Sequence, residues 1–177
     1  MESSALHRGF VLDIFRYRYC IRTDIQSQQV AYMLNFLRTS PTPNYSPKYP
    51  LLPGHPPAVH LPLNPVLYLT LAIDSVAPLI RIKRLKGMAG GGAALEIPMP
   101  LPVRMRRRLA MGWILDAVAK KPSRGSGKKQ FASRLASEVI SVIEGSSSVW
   151  DKRDLIHRSG TAARANLFLP QYRNSIR

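Results

Sequence analysis

A mainly helical bundle with a protruding β-hairpin is the fold class this sequence predicts, and three observations carry it. Apolar residues recur at helical spacing in several separate stretches. One glycine-rich turn is flanked by strand-like segments, and a dense run of prolines divides the chain near its first third. With 177 residues and 45% hydrophobic composition, the chain is long enough to bury one ordinary core.

Residues 1–40 form a divergent N-terminal segment. From Leu6 to Ile25, Arg8, Arg16, Arg18 and Arg22 mix with Phe10, Val11, Leu12, Ile14 and Phe15, the pattern of a cationic amphipathic presequence. Glu2, Asp13 and Asp24 fit an ordinary first helix better, so targeting and structural readings both stand. Val30, Met33, Leu34 and Leu37 fall at i, i+3, i+4 and i+7, one helical stripe, and Pro41 ends it. Between Pro41 and Pro65 there are nine prolines in 25 residues, too many for a helix or sheet to propagate, so residues 41–63 read as an extended connector. His55 and His60 lie inside it without an acidic or cysteine neighbour that would make them metal ligands.

Residues 64–169 carry the predicted helical domain. Asn64 then Pro65 is an N-cap followed by proline at the first helical position, and Val66 to Val76 is apolar nearly all round, the signature of a central helix. Even extended to Ala77, this run is too short and too interrupted to span a bilayer. Pro78 stops it. Leu79 to Lys86 has the β-branched content of a strand, Gly87 to Gly92 can make the turn, and Ala93 to Ile97 returns, giving a hairpin over about residues 79–97. Pro98, Pro100 and Pro102 read as turn residues before a helix from Val103 to Lys120, with Trp113 as its buried anchor. Phe131, Leu135, Val139 and Val142 stripe the next helix, with Gly145 placed as its C-terminal cap. Ser148 and Asp151 resemble a capping box for the last helix, and residues 170–177 are a tail.

The charge balance narrows the function. Lys and Arg number 26 against 10 Asp and Glu, a net +16, and a compact body carrying it gains from a polyanionic partner. Nucleic acid comes first, and an anionic membrane surface second, without stable insertion. Arg104, Arg106, Arg107 and Arg108 crowd a helix N-terminus, where cations oppose the macrodipole, and an external anion is the simplest reason to keep them there. Arg81, Lys83, Arg84 and Lys86 make the first hairpin arm cationic. Lys120, Lys121, Arg124, Lys128 and Lys129 form a basic loop, followed by Arg134, and Lys152, Arg153, His157 and Arg158 a basic last helix. All of these are candidate RNA contacts.

Catalytic readings fail. The glycine turn lacks a following Gly-Lys-Ser or Gly-Lys-Thr and leads into a strand, while Gly127-Lys128-Lys129 lacks the hydroxyl that magnesium needs. Carboxylates are sparse and scattered, and Cys20 is the only cysteine, which excludes an internal disulfide and a cysteine-rich zinc site. The expectation is a protein that is not an enzyme, with no cofactor, no metal and no small-molecule substrate.

Several segments resemble one family. Ala72-Ile73-Asp74-Ser75-Val76-Ala77-Pro78, Ile97-Pro98-Met99, Leu109-Ala110-Met111-Gly112-Trp113-Ile114, Phe131 to Glu138, and Lys152-Arg153 with His157-Arg158 resemble, in order and spacing, the small-subunit ribosomal protein seven family. The proline-rich connector, the glycine-rich tip and Gly112 in place of the bacterial arginine look like a mitochondrial member. The resemblance implies a structural constituent of the small ribosomal subunit in the mitochondrial matrix. Such a protein binds the 3′ major domain of small-subunit rRNA, supports head assembly and touches neighbouring ribosomal proteins of the head. It also implies that the hairpin tip, Gly87, Met88, Gly90, Gly91 and Gly92, lies near the exit-site tRNA and messenger RNA. A free RNA chaperone or assembly factor, or a basic peripheral membrane protein, is the alternative.

Overall fold

The computed structural model describes residues 23–49, 51–86, 94–122 and 129–169. The N-terminal basic stretch as far as Arg22, Arg124 and Lys128 of the basic loop, the glycine tip of the hairpin and the tail lie outside the described residues.

Helix α1 spans Thr23–Thr39 and buries Met33 and Leu37, two members of the predicted stripe, chiefly against α4 (Gln130–Ile143). The connector then crosses the bundle as a strap without α-helix or strand, broken only by a 3-10 turn at Ala58–His60. Its aromatic residues fasten it. The Tyr45 hydroxyl donates to the Pro56 carbonyl at 2.8 Å, and the Tyr49 ring stacks on Trp150 with centroids 5.0 Å apart. Gly145 caps α4 with φ +73°, and a Cβ there would meet Ser46 Cβ at 2.6 Å, so both conformation and the passing strap require glycine.

Helix α2 (Pro65–Val76) starts as its sequence dictates: Asn64 Oδ1 accepts the Leu67 N–H at 3.2 Å, and Pro65 occupies the first turn. It buries Tyr68, Leu69, Leu71, Ala72, Ile73 and Val76 and packs against α1, α4 and α3 (Val103–Lys120), the central position expected of it.

The hairpin pairs β1 (Ile80–Leu85) antiparallel with β2 (Leu95–Pro100). The second strand begins later and runs further than its sequence suggests. Pro98 and Pro100 are not turn residues but strand residues, opposite Ile82 and Ile80. Prolines two apart leave the same edge of a strand without donors, which is tolerable because β2 has no second neighbour strand among the described residues.

Helix α3 buries Ala110, Met111, Ile114, Leu115 and Val118. Position 113 sits at the margin of that face, so Trp113 is only partly buried, and the expectation that it anchors the core is corrected. The fully buried tryptophan is Trp150, at the start of α5 (Val149–Ala162), with its indole N–H bonded to the Val142 carbonyl at 2.9 Å. The expected capping box is also corrected. Ser148 makes no side-chain cap bond, whereas buried Ser147 accepts the Val149 N–H at 3.2 Å. A 3-10 helix, Ala163–Phe168, follows α5 and packs on β2. Gly160 lets β1 approach α5, since a Cβ there would lie 2.0 Å from Ile80 Cδ1.

Candidate nucleic-acid interface

The described cations at the two ends of α3 form two separate patches. From Arg104 to Lys121 the helix rises about 25 Å at 1.5 Å per residue.

The first patch gathers at the hairpin root. Leu79, just before β1, donates its N–H to His157 Nε2 at 3.2 Å, which brings the middle of α5 against the hairpin. Arg153 lies one turn before His157, and Arg106 from the first turn of α3 is near enough to repel both. Burial pushes the Arg153 guanidinium down, Asp154 offsets part of this, and Arg106 adds to the depression. Burial likewise lowers His157, reinforced by Arg153 and Arg106 and opposed by Asp154. The Nε–H groups of Arg106 and Arg153 are both buried without a hydrogen-bond partner among the described residues. The Arg153 guanidinium also lies 5.4 Å over the Trp150 ring centre, yet two partly buried cations near enough to repel, each with an unmet Nε–H, are costly unless an anion screens them. Around them Arg104, Arg108 and Arg158 are exposed.

Arg107 differs from its neighbours. It holds Asp74 on α2 through two bonds of 2.5 Å, which raise its pKa, so it ties α3 to the central helix. Along the hairpin arm Arg81, Lys83 and Lys86 are exposed, while Arg84 pairs with cross-strand Glu96 at 2.8 Å. That pair is largely solvated and worth little. Lys152 sits 4.0 Å from Asp116.

The second patch joins the end of α3 to the start of α4. Lys120 and Lys129 are exposed, the latter 5.2 Å from the Tyr32 ring centre. Arg134 Nη1 donates to the Lys121 carbonyl at 3.1 Å, and Lys121 Nζ meets Glu138 at 2.5 Å. Glu138 is 2% exposed and also accepts from Ser147 at 2.5 Å. Sequence reasoning passed over Glu138, although a carboxylate on the apolar stripe of Phe131 to Val142 signals a buried partner. Asp74 had a comparable signal, as a lone acid in an apolar helix.

Among the described residues no group of three or more His, Cys, Asp or Glu is placed to hold a metal ion, and no helix is long and apolar enough to cross a membrane. The arrangement is that of a helical scaffold displaying separated cationic patches and a cationic two-stranded arm. A family model described as ribosomal protein S7p/S5e matches residues 58–164, more than half of the chain. The chain therefore belongs to the ribosomal protein S7p/S5e family, which consists of ribosomal proteins and not of enzymes. The small ribosomal subunit protein uS7m of Neurospora crassa is 62% identical to it over 143 residues, 81% of this chain and 46% of the fungal protein. The uS7 proteins of Azotobacter vinelandii and Acinetobacter baylyi are each 32% identical, over 102 and 103 residues. Those alignments cover 58% of this chain and 60% and 61% of the bacterial proteins. The chain thus spans about half the length of the fungal relative and about three fifths of the bacterial ones. The family match begins inside the connector, so α1 and most of the strap lie outside it.

Proposed function

We propose that this chain is a structural component of the small ribosomal subunit of mitochondria, and that it binds small-subunit rRNA through the two patches and the hairpin arm. The observation that carries this reading is the pair of buried, unmet guanidinium donors of Arg106 and Arg153 at the hairpin root. A phosphate beside both guanidiniums would relieve their mutual repulsion. Names of the relatives, small ribosomal subunit proteins uS7 and uS7m, point the same way. The finer reading places the protein on the 3′ major domain of the rRNA, among the proteins of the subunit head, where it supports head assembly. It also places the glycine tip beside the exit-site tRNA and messenger RNA.

The test is sedimentation of the tagged full chain from mitochondrial extract. It should travel with the small subunit through a moderate salt wash, and Arg106→Gln with Arg153→Gln should move it to the top of the gradient. Wild-type protein that leaves the particle under that wash would favour the free chaperone or assembly-factor reading.

A further inference from the structure

Between the end of α3 and the first turns of α4 lies a cleft of about 330 Å³, lined by Lys121, Pro122, Gln130, Ser133, Arg134 and Ser137. Among its described lining residues the effective charge reduces to one side chain, because the Glu138 carboxylate cancels the Lys121 ammonium. Arg134 is oriented by its bond to the Lys121 carbonyl, and its Nε–H is buried without a partner among the described residues. The wall also offers an acceptor. Ser137 donates its hydroxyl proton to the Ser133 carbonyl at 3.0 Å, which leaves its oxygen able only to accept. Ser141, one turn further, shows that mode at work: it donates to the Ser137 carbonyl at 2.9 Å and receives Lys121 Nζ at 3.4 Å.

The cleft therefore presents a cationic donor and a hydroxyl acceptor at i and i+3 of one helix, neighbours on its surface. A free phosphate or a protein carboxylate brings acceptors alone, so it would meet Arg134 but engage Ser137 only by breaking the bond of its hydroxyl to the Ser133 carbonyl. A ribose-phosphate unit brings both, a phosphate oxygen and a 2′-hydroxyl donor. Among the described residues no aromatic ring lines the cleft, so a base has nothing there to stack on. Its volume is at the small end of ligand sites and suits one nucleotide unit, not a duplex.

We propose that this cleft seats the ribose-phosphate of one unpaired RNA nucleotide, with Arg134 on the phosphate and Ser137 on the 2′-hydroxyl. The inference rests on the RNA-binding reading above and adds a subsite that distinguishes RNA from DNA. To test it, the full chain is bound to a transcript of the small-subunit rRNA 3′ major domain, and the acylation reactivity of every 2′-hydroxyl is read with and without protein. The expected result is one unpaired nucleotide that is protected by wild-type protein and regains reactivity with Ser137→Ala and with Arg134→Lys, while the remaining footprint persists. Removing the 2′-hydroxyl at that nucleotide should weaken wild-type binding about fivefold and Ser137→Ala binding hardly at all. Melting curves of both variants verify that they fold. An intact footprint in which no nucleotide responds to either variant overturns the subsite alone, and would leave the cleft to an acidic segment of a neighbouring protein. Absence of any footprint with wild-type protein overturns the RNA-binding reading as well.

Discussion

The Leu79 N–H donates to His157 Nε2 at 3.2 Å, so the root of the hairpin hangs on an imidazole of α5 that accepts only when that nitrogen is unprotonated. Burial and the nearby Arg153 and Arg106 lower the His157 pKa from its ordinary 6.5, with Asp154 opposing. The unfolded chain therefore binds a proton before the folded one does. Stability from this site is complete above about pH 6.5 and is lost as pH falls from there through the folded pKa. Denaturant unfolding at a series of pH values should show stability declining below that point, and His157→Gln should remove this part of the decline. Identical slopes for the two proteins would mean that the imidazole does not govern the hairpin root.

The contact between Glu138 and Lys121 predicts an asymmetry. Glu138 is buried, while the Lys121 side chain is 36% exposed and can turn to solvent when its partner is gone. Lys121→Met strands a buried carboxylate and should cost about 3 kcal/mol, because an unpaired buried charge keeps its full desolvation penalty. Glu138→Gln retains an acceptor for the Ser147 hydroxyl and should cost about 1 kcal/mol. Chemical denaturation of both variants checks the order, and a larger loss for Glu138→Gln would contradict it.

Trp150 and Trp113 should separate in the same assay. Trp150 is fully buried beneath the Tyr49 ring, and Trp150→Ala should lose about 3 to 5 kcal/mol. Partly exposed Trp113 leaves a smaller cavity, and Trp113→Ala should lose at least about 1 kcal/mol less. Equal losses would show that the margin of α3 is as tightly packed as the core.

Local sequence signals located the elements where the chemistry is local. Asn64-Pro65 set the start of α2, Gly145 the end of α4, and the stripe of Met33 and Leu37 the buried face of α1. They failed where tertiary context decided. Pro98 and Pro100 look like breakers, and it is the lack of a second neighbour strand among the described residues that admits them to β2. Trp113 sits among apolar residues and Trp150 among polar ones, yet Trp150 is the buried one, stacked beneath Tyr49 of the proline strap, a contact that spacing does not reveal. For the candidate site, the arginine-rich start of α3 was legible from its conflict with the helix dipole. Its division of labour was not, because Arg107 pairs with Asp74, 33 positions earlier in the chain, while Arg106 keeps an unmet donor.

That division gives the last prediction, on the salt dependence of RNA binding. Removing one cation that neutralises a phosphate should flatten the slope of log affinity against log salt by roughly 0.7 to 0.9. Replacing Arg104, Arg106 and Arg108 by Gln removes three cations at one end of α3, and replacing Lys120 and Lys129 by Gln removes two at the other. With the two sets about 18 to 24 Å apart along the helix, their effects on the slope should add. Arg107→Ala provides the contrast: it frees Asp74 and should cost about 1 to 2 kcal/mol of stability while leaving the slope nearly unchanged. Filter binding of a small-subunit rRNA transcript at four or five salt concentrations measures all three. A slope that responds to one set alone would confine the RNA to one end of the bundle. A response to Arg107→Ala as large as that to its neighbours would mean that the RNA draws this arginine away from Asp74.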